Sequence, residues 1–263
     1  MPAEHAKGVL AELVELAPEG FEQVDGDDFV EFALYGSPGE LPELPRGRAE
    51  LGGVPIEVSG TEVGEDWADR WREFHRPAQI GDIRVRAPWH EPAGGGIEIV
   101  IDPGQAFGTG AHPTTRLCLE LLQELEGGMR PAGGALADLG CGSGVLAIAA
   151  AKLGFAPVTA FDNELTAVEA TKENARVNGV TLDRVGRCDL RSGPAPVAEV
   201  TVANLVRPLL LEVARLLPEQ PETLIVSGLL EGDEDEVAAA FEPLRERRRL
   251  RLQGWSALLL TLP

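Results

Sequence analysis

Two different spacings of apolar residues divide the chain. In the first part, residues 3–17 place Val9, Leu10, Leu13, Val14 and Leu16 on one side at helical spacing, which predicts an amphipathic helix. Two alternating segments then flank the turn-forming "DGDD" and predict a hairpin. "SPGELPELPRG" is too rich in proline and glycine for a long helix, and "GGVPIEVSGTEV" alternates again as a strand. These elements predict a small α+β domain over residues 1–60. Residues 64–77 predict a short helix with Trp67, Trp71 and Phe74 on one face, closed by Pro77. Aromatics in that arrangement point to packing between domains. "IRVRAPW" and "GGGIEIVID" read as strands around a glycine loop. Residues 61–90 are accordingly assigned to an interdomain helix and strand.

From residue 114 onward, strand and helix patterns alternate. A helix over 114–126 precedes the strand "ALADLG", the helix "GVLAIAAAKLG", the strand "PVTAFD" and the helix "NELTAVEATKENARVNG". "EVTVANL", "RPLLLEVARLLP", "TLIVSGLL" and "GDEDEVAAAFEPL" continue the series. Such alternation predicts an α/β domain over 91–263, with a mainly parallel sheet covered by helices on both faces. The end departs from it. "RRRLRLQGW" and "SALLLTLP" are two strands with no helix between them, which predicts an antiparallel pair at the sheet edge.

Chemistry concentrates where these strands end. "DLGCGSG" lies at a strand-to-helix turn. Gly140 is expected to permit the turn, Gly142 to let a ligand approach the backbone, and Gly144 to let the helix pack on the strand. Asp162 ends the next strand, where a carboxylate can accept hydrogen bonds from both hydroxyls of a ribose. Taken alone it could equally cap the following helix. Together the turn and the acid predict a nucleotide-type ligand. The spacing is GxGxG rather than the GxGxxG of dinucleotide enzymes, and it suits S-adenosylmethionine, which has no pyrophosphate to grip. NAD is the rival. A P-loop is excluded, because no lysine follows either glycine loop.

Asn204 ends the strand in "VTVANLV". Its carbonyl can accept a hydrogen bond from a substrate amine and aim the nitrogen lone pair at a sulfonium methyl. A lysine amine, with an ordinary pKa of about 10.4, must first lose a proton. Desolvation beside a cation favours that loss, so no dedicated base is required. Capping of the next helix is the alternative role for Asn204.

Composition narrows the partners. The formal net charge of −20 disfavours a nucleic-acid surface and favours a small molecule or a basic protein. No apolar run reaches the eighteen or so residues of a membrane span, and no secretory signal is evident. Three cysteines without CxxC spacing give neither a disulfide framework nor a zinc site, so no metal is expected and a cytoplasmic location fits.

Four segments carry a resemblance: "DPGQAFGTGAHPTTRLCLELL", "LADLGCGSGVLAIAAAKLG", "FDNELTAVEATKENARVNGV" and "VANLV". They resemble the bacterial methyltransferases of ribosomal protein L-eleven, and "EDWADRWREFHRPAQIGDIRVRAPW" is similar to that family's interdomain segment. The resemblance implies a class I methyltransferase with a Rossmann-like seven-stranded sheet, preceded by a small substrate-recognition domain. It implies S-adenosylmethionine as cofactor, and lysine side chains and the α-amine of a basic ribosomal protein as substrate. Position by position, it implies cofactor contacts from Thr115, Gly140, Asp162 and Asn204. Phe107 and His112 of the same glycine-rich loop are expected to line the site, and that loop to close over the cofactor. The beginning of the chain departs from the pattern. The family's first domain is ferredoxin-like and opens with a strand, whereas here a helix comes almost at once and "SPGELPELP" stands where a second helix is expected. A reduced ferredoxin-like domain, or a late start to the sequence, is the expectation. Methylation of another amine, or a non-catalytic cofactor-binding module, are the competing readings.

Overall fold

The computed structural model describes residues 9, 13, 22–25, 30–34, 47–51, 53–60, 76–102, 110–125 and 134–263. The chain divides into two compact units, Met1–Trp71 and Arg72–Pro263. Residues 64–75 of the helix expected over 64–77, with its aromatic face, and Phe107 lie outside the described residues.

In the first unit, Val9 and Leu13 are helical and buried. Strands β1 (Glu22–Asp25) and β2 (Val30–Ala33) pair antiparallel across the "DGDD" segment. Strands β3 (Gly47–Leu51) and β4 (Val54–Val58) form a second antiparallel pair. Val9, Leu13, Leu51 and Val54 form one apolar cluster, joined by Phe32, Leu34 and Ile56.

The second unit opens with a three-stranded sheet of β5 (Ala78–Ile80), β6 (Ile83–Arg86) and β7 (Ile97–Val100). Thus β5 and β6, within the segment read as interdomain, pair in one sheet with β7. β6 and β7 run parallel and end together, at Arg86 and Val100. Helix α1 (Pro113–Glu124) ties this small sheet to the rest. Its Gln123 donates to the Ile80 carbonyl at 3.0 Å and accepts from the Asp82 N–H at 2.8 Å.

The main sheet follows from β8 (Leu136–Leu139), α2 (Val145–Lys152), β9 (Val158–Asp162), α3 (Leu165–Val177) and β10 (Arg184–Arg187). It continues through β11 (Val200–Asn204), α4 (Arg207–Leu216), β12 (Thr223–Leu230), α5 (Glu234–Ala240), β13 (Arg245–Leu252) and β14 (Trp255–Thr261). The strand order is β10-β9-β8-β11-β12-β14-β13. The first five strands are parallel, and β14 pairs antiparallel with both β12 and β13. This is the mainly parallel, doubly wound sheet expected from the alternating pattern, with the seven strands that the resemblance implies. The order reverses between β8 and β11, and in open sheets ligands bind at the carboxyl edge of that switch point.

Central strands are buried on both faces, so they read as apolar runs rather than alternating ones. All four residues of β8 are buried, and so are the first four of β11. The arginine-rich β13 is the exposed edge, and its charges blunt it against pairing with another chain. Arg249 pairs with Asp235 and Glu246, and Arg251 with the buried Glu234, whose carboxyl also accepts from Ser256 and Gly232.

Candidate active site

Parallel register sets three strand ends side by side. Leu139 lies opposite both Phe161 and Ala203, so Asp162, Gly140 and Asn204 follow one another along the edge in the order β9, β8, β11. The β8–α2 turn folds over the end of β9. The Gly140 and Cys141 N–H groups both donate to the Phe161 carbonyl, at 2.8 and 3.0 Å. Gly140, Gly142 and Gly144 all take positive φ, the region in which a side chain is strained. At Gly140 a β-carbon would also run into Leu205, the residue after Asn204.

Gly144 differs from its expected role. A β-carbon there would meet Thr171 of α3 at 2.8–3.1 Å, so this glycine admits a neighbouring helix rather than the strand beneath it. The reason lies in α3, which presents Thr171 to the turn. The Thr171 hydroxyl donates to the Gly142 carbonyl at 2.9 Å.

Asp162 is 9 % exposed. One carboxylate oxygen accepts from the Gly142 N–H at 2.9 Å and the other from the Glu164 N–H at 3.0 Å. It therefore braces the glycine turn and the start of α3 together, while the position that caps α3 is Glu164. Each carboxylate oxygen keeps a second lone pair for a ligand hydroxyl.

Asn204 does not cap α4, whose cap is Val206. Its side-chain N–H donates instead to the Thr115 hydroxyl, at 3.5 Å. That contact turns the amide so that its carbonyl oxygen faces away from Thr115. Thr115 itself is 1 % exposed in the first turn of α1. His112 caps α1, its Nδ1 accepting from the Thr114 N–H and lying 2.8 Å from the Thr114 hydroxyl. Its ring stands edge-on to Trp255, with centroids 5.0 Å apart. Burial lowers the His112 pKa to about 4, so the imidazole is neutral at physiological pH.

Sequence patterning missed two further residues. Asp138 sits inside β8 and is 1 % exposed; one oxygen accepts from the Ala147 N–H at 3.1 Å, and the other has no partner among the described residues. Burial first, and then the nearby Asp162 carboxylate, push its pKa up to about 7. The other is Gly228, at the bulge in β12. A β-carbon there would lie 2.2 Å from the Leu205 carbonyl, so this glycine lets the chain after Asn204 lie against β12. "IVSGLL" carried the signal, since a glycine inside a strand pattern marks a bulge or a close backbone approach.

All three cysteines are free, and among the described residues no cluster could hold a metal ion. Burial raises the Cys141 thiol well above its ordinary range and keeps it protonated.

Comparison with known proteins assigns the chemistry. The family model described as "Ribosomal protein L11 methyltransferase (PrmA)" matches residues 49–262. The chain belongs to the ribosomal protein L11 methyltransferase family. A ribosomal protein L11 methyltransferase of Thermoanaerobacter pseudethanolicus is 33 % identical over 227 residues, covering 83 % of this chain and 72 % of that protein. Its counterpart in Caldanaerobacter subterraneus subsp. tengcongensis is 38 % identical over 208 residues, covering 78 % of this chain and 64 % of that protein. Among solved structures, the ribosomal protein L11 methylase of Lactobacillus delbrueckii subsp. bulgaricus superposes with a TM-score of 0.60 at 26 % identity. It covers 71 % of this chain and 98 % of that one. The fold is thus that of a class I methyltransferase, and the cofactor of the family is S-adenosylmethionine. The Asp138 oxygen without a partner among the described residues, the braced Asp162 and the glycines of the turn between them fit a ligand with hydroxyl and ammonium donors.

Proposed function

We propose that this protein transfers methyl groups from S-adenosylmethionine to amines of ribosomal protein L11, at lysine side chains and the α-amine. The observation that carries the reading is the Asn204–Thr115 contact at the carboxyl edge, one strand away from the glycine turn. When bound, the cofactor supplies an electrophilic methyl group on a sulfonium.

The chain's own residues do the rest. Asp162 accepts from the ribose hydroxyls with the lone pairs that Gly142 and Glu164 leave free. Gly140 brings backbone close to the ligand without a side chain in the way. Asn204 offers its carbonyl oxygen to the incoming amine, and Thr115 holds that amide in its productive orientation. Since the carbonyl oxygen accepts and cannot donate, it holds the amine through an N–H and leaves the nitrogen lone pair free to point at the methyl group. A neutral His112 adds no cation beside a cationic donor. Phe107, from the same loop sequence, completes the lining in this reading.

A net charge of −20 supports a basic protein substrate rather than a nucleic acid, through steering of the encounter. No helix among the described residues is long and apolar enough to cross a membrane.

The test incubates the protein with methyl-labelled S-adenosylmethionine and L11, followed by mass mapping. Label on L11 lysines and the α-amine is expected. Label only on other amines would transfer the reading to a related N-methyltransferase. Binding of NAD without binding of S-adenosylmethionine would end it.

A further inference from the structure

One face of α3 does something unusual for a helix packed on a sheet. Thr171, Asn174 and Asn178 recur at spacings of three and four residues, which places them on one side of the helix. Thr171 and Asn174 are buried and polar where an apolar stripe is the norm. Each of the three is committed to main chain outside the helix. Thr171 donates to the Gly142 carbonyl. Asn178 clasps Val100 from both sides, donating to its carbonyl at 2.6 Å and accepting from its N–H at 2.9 Å, as a neighbouring strand would.

Asn174, between them, reaches in both directions. Its amide N–H donates to the Ser143 carbonyl at 2.9 Å, inside the β8–α2 turn. Its amide oxygen accepts from the Asp102 N–H at 3.3 Å, just past the end of β7. The residue is 4 % exposed, so neither group has water as a substitute partner. At Gly110 the chain lies against the same small sheet, where a β-carbon would strike Val85 of β6. Two residues later it reaches the cap of α1, and then Thr115.

We infer that Asn174 is a positioning residue for methyl transfer, a single amide that holds in one frame the cofactor turn at Ser143 and, at Asp102, the end of the small sheet on which Gly110 seats the approach to His112 and Thr115. An asparagine suits the task because its side chain presents a donor and an acceptor about 2 Å apart in one plane. Ionised aspartate offers two acceptors, so at a pH where it is charged it keeps the Asp102 contact and loses the one to Ser143. Alanine loses both.

This rests on the methyl-transfer reading, so wild-type turnover on L11 is measured first. Its absence fails that reading, whereas the pattern among variants fails only this one. Two quantities are read for each variant: the calorimetric Kd for S-adenosylhomocysteine, and kcat at saturating cofactor. Asn174→Ala is expected to weaken binding about tenfold and to lower kcat about tenfold as well. Asn174→Asp is expected to weaken binding by a similar factor, with kcat within about twofold of wild type. Thr171→Val, which touches the turn alone, should follow the Asp pattern. Asn178→Ala, which removes the clasp on Val100 and a bond to the Asn174 carbonyl but leaves both side-chain contacts of Asn174 in place, should spare Kd. If Asn174→Ala does not fold, the near-isosteric Asp variant and the two neighbours decide alone. Wild-type Kd in Asn174→Asp, or equal losses of Kd and kcat in the Asp and Ala variants, overturns the inference.

Discussion

The two sides of the carboxyl edge are built on different principles. On the β8–β9 side, the turn is held by backbone and carboxylate together. Two N–H groups converge on the Phe161 carbonyl, Asp162 accepts from two more, and Thr171 and Asn174 hold the carbonyls of Gly142 and Ser143. On the β11 side, the side chain of Asn204 has one hydrogen-bond partner among the described residues, the Thr115 hydroxyl at 3.5 Å. The first side is preorganised before any ligand arrives, as suits a surface that must recognise a fixed cofactor. In the proposed reading, the Asn204 carbonyl oxygen serves a partner that comes and goes with each turnover. Binding and transfer are then served by separate sets of contacts, and substitutions can pull them apart.

The largest effect is expected on the sparsely held side. Asn204→Ala removes the only group proposed to orient the amine. Loss of a near-attack geometry costs on the order of a hundredfold in rate. The fall should appear in kcat, with the Kd for S-adenosylhomocysteine within a few-fold of wild type. Normal single-turnover rates would exclude Asn204 as the orienting group and erase the contrast between the two sides.

The opposite pattern is expected from Asp162→Ala. Its carboxylate loses the ribose hydroxyls and also frees the Gly142 and Glu164 N–H groups, so the turn loosens as the ligand contact goes. Hydrogen bonds to a charged group contribute about 1.5–3 kcal/mol. A Kd at least about tenfold weaker should result, and saturating cofactor should recover most of kcat. Unchanged affinity in calorimetry would refute the assigned role.

The same contrast explains how much could be read in advance. Gly140, Asp162 and Asn204 were legible because each stands where an apolar strand run meets a turn, and a parallel sheet gathers such ends at one edge. The sheet itself was legible from alternating strand and helix patterns. Asn174 was not. In "ENARVNG" it looks like any polar helix residue, because patterning takes polar positions as solvated. Its burial follows from Gly144, whose missing side chain lets α3 lie against the turn. Asp138 was hidden in the reverse way, inside a strand that reads as core. Both roles arise from residues distant in sequence, and spacing within one element carries no trace of them. The exchange of Gly144's role belongs to the same class: local rules name the turn, while the neighbour it admits is decided by tertiary packing.

The smallest expected effect tests whether the single contact on the β11 side matters at all. Thr115→Val keeps the branched shape that fills a buried site in the first turn of α1 and removes only the hydroxyl. A neutral hydrogen bond contributes about 0.5–1.5 kcal/mol. Without it, the Asn204 amide can sample the flipped orientation, in which its N–H rather than its oxygen faces the amine. Only the correctly oriented fraction transfers a methyl group, so kcat should fall about threefold. Cofactor affinity should not follow if Thr115 acts through Asn204. If affinity falls and kcat holds, the hydroxyl belongs to the cofactor's side of the edge. In an Asn204→Ala background, the same substitution should have no further effect on kcat, since the group it orients is gone.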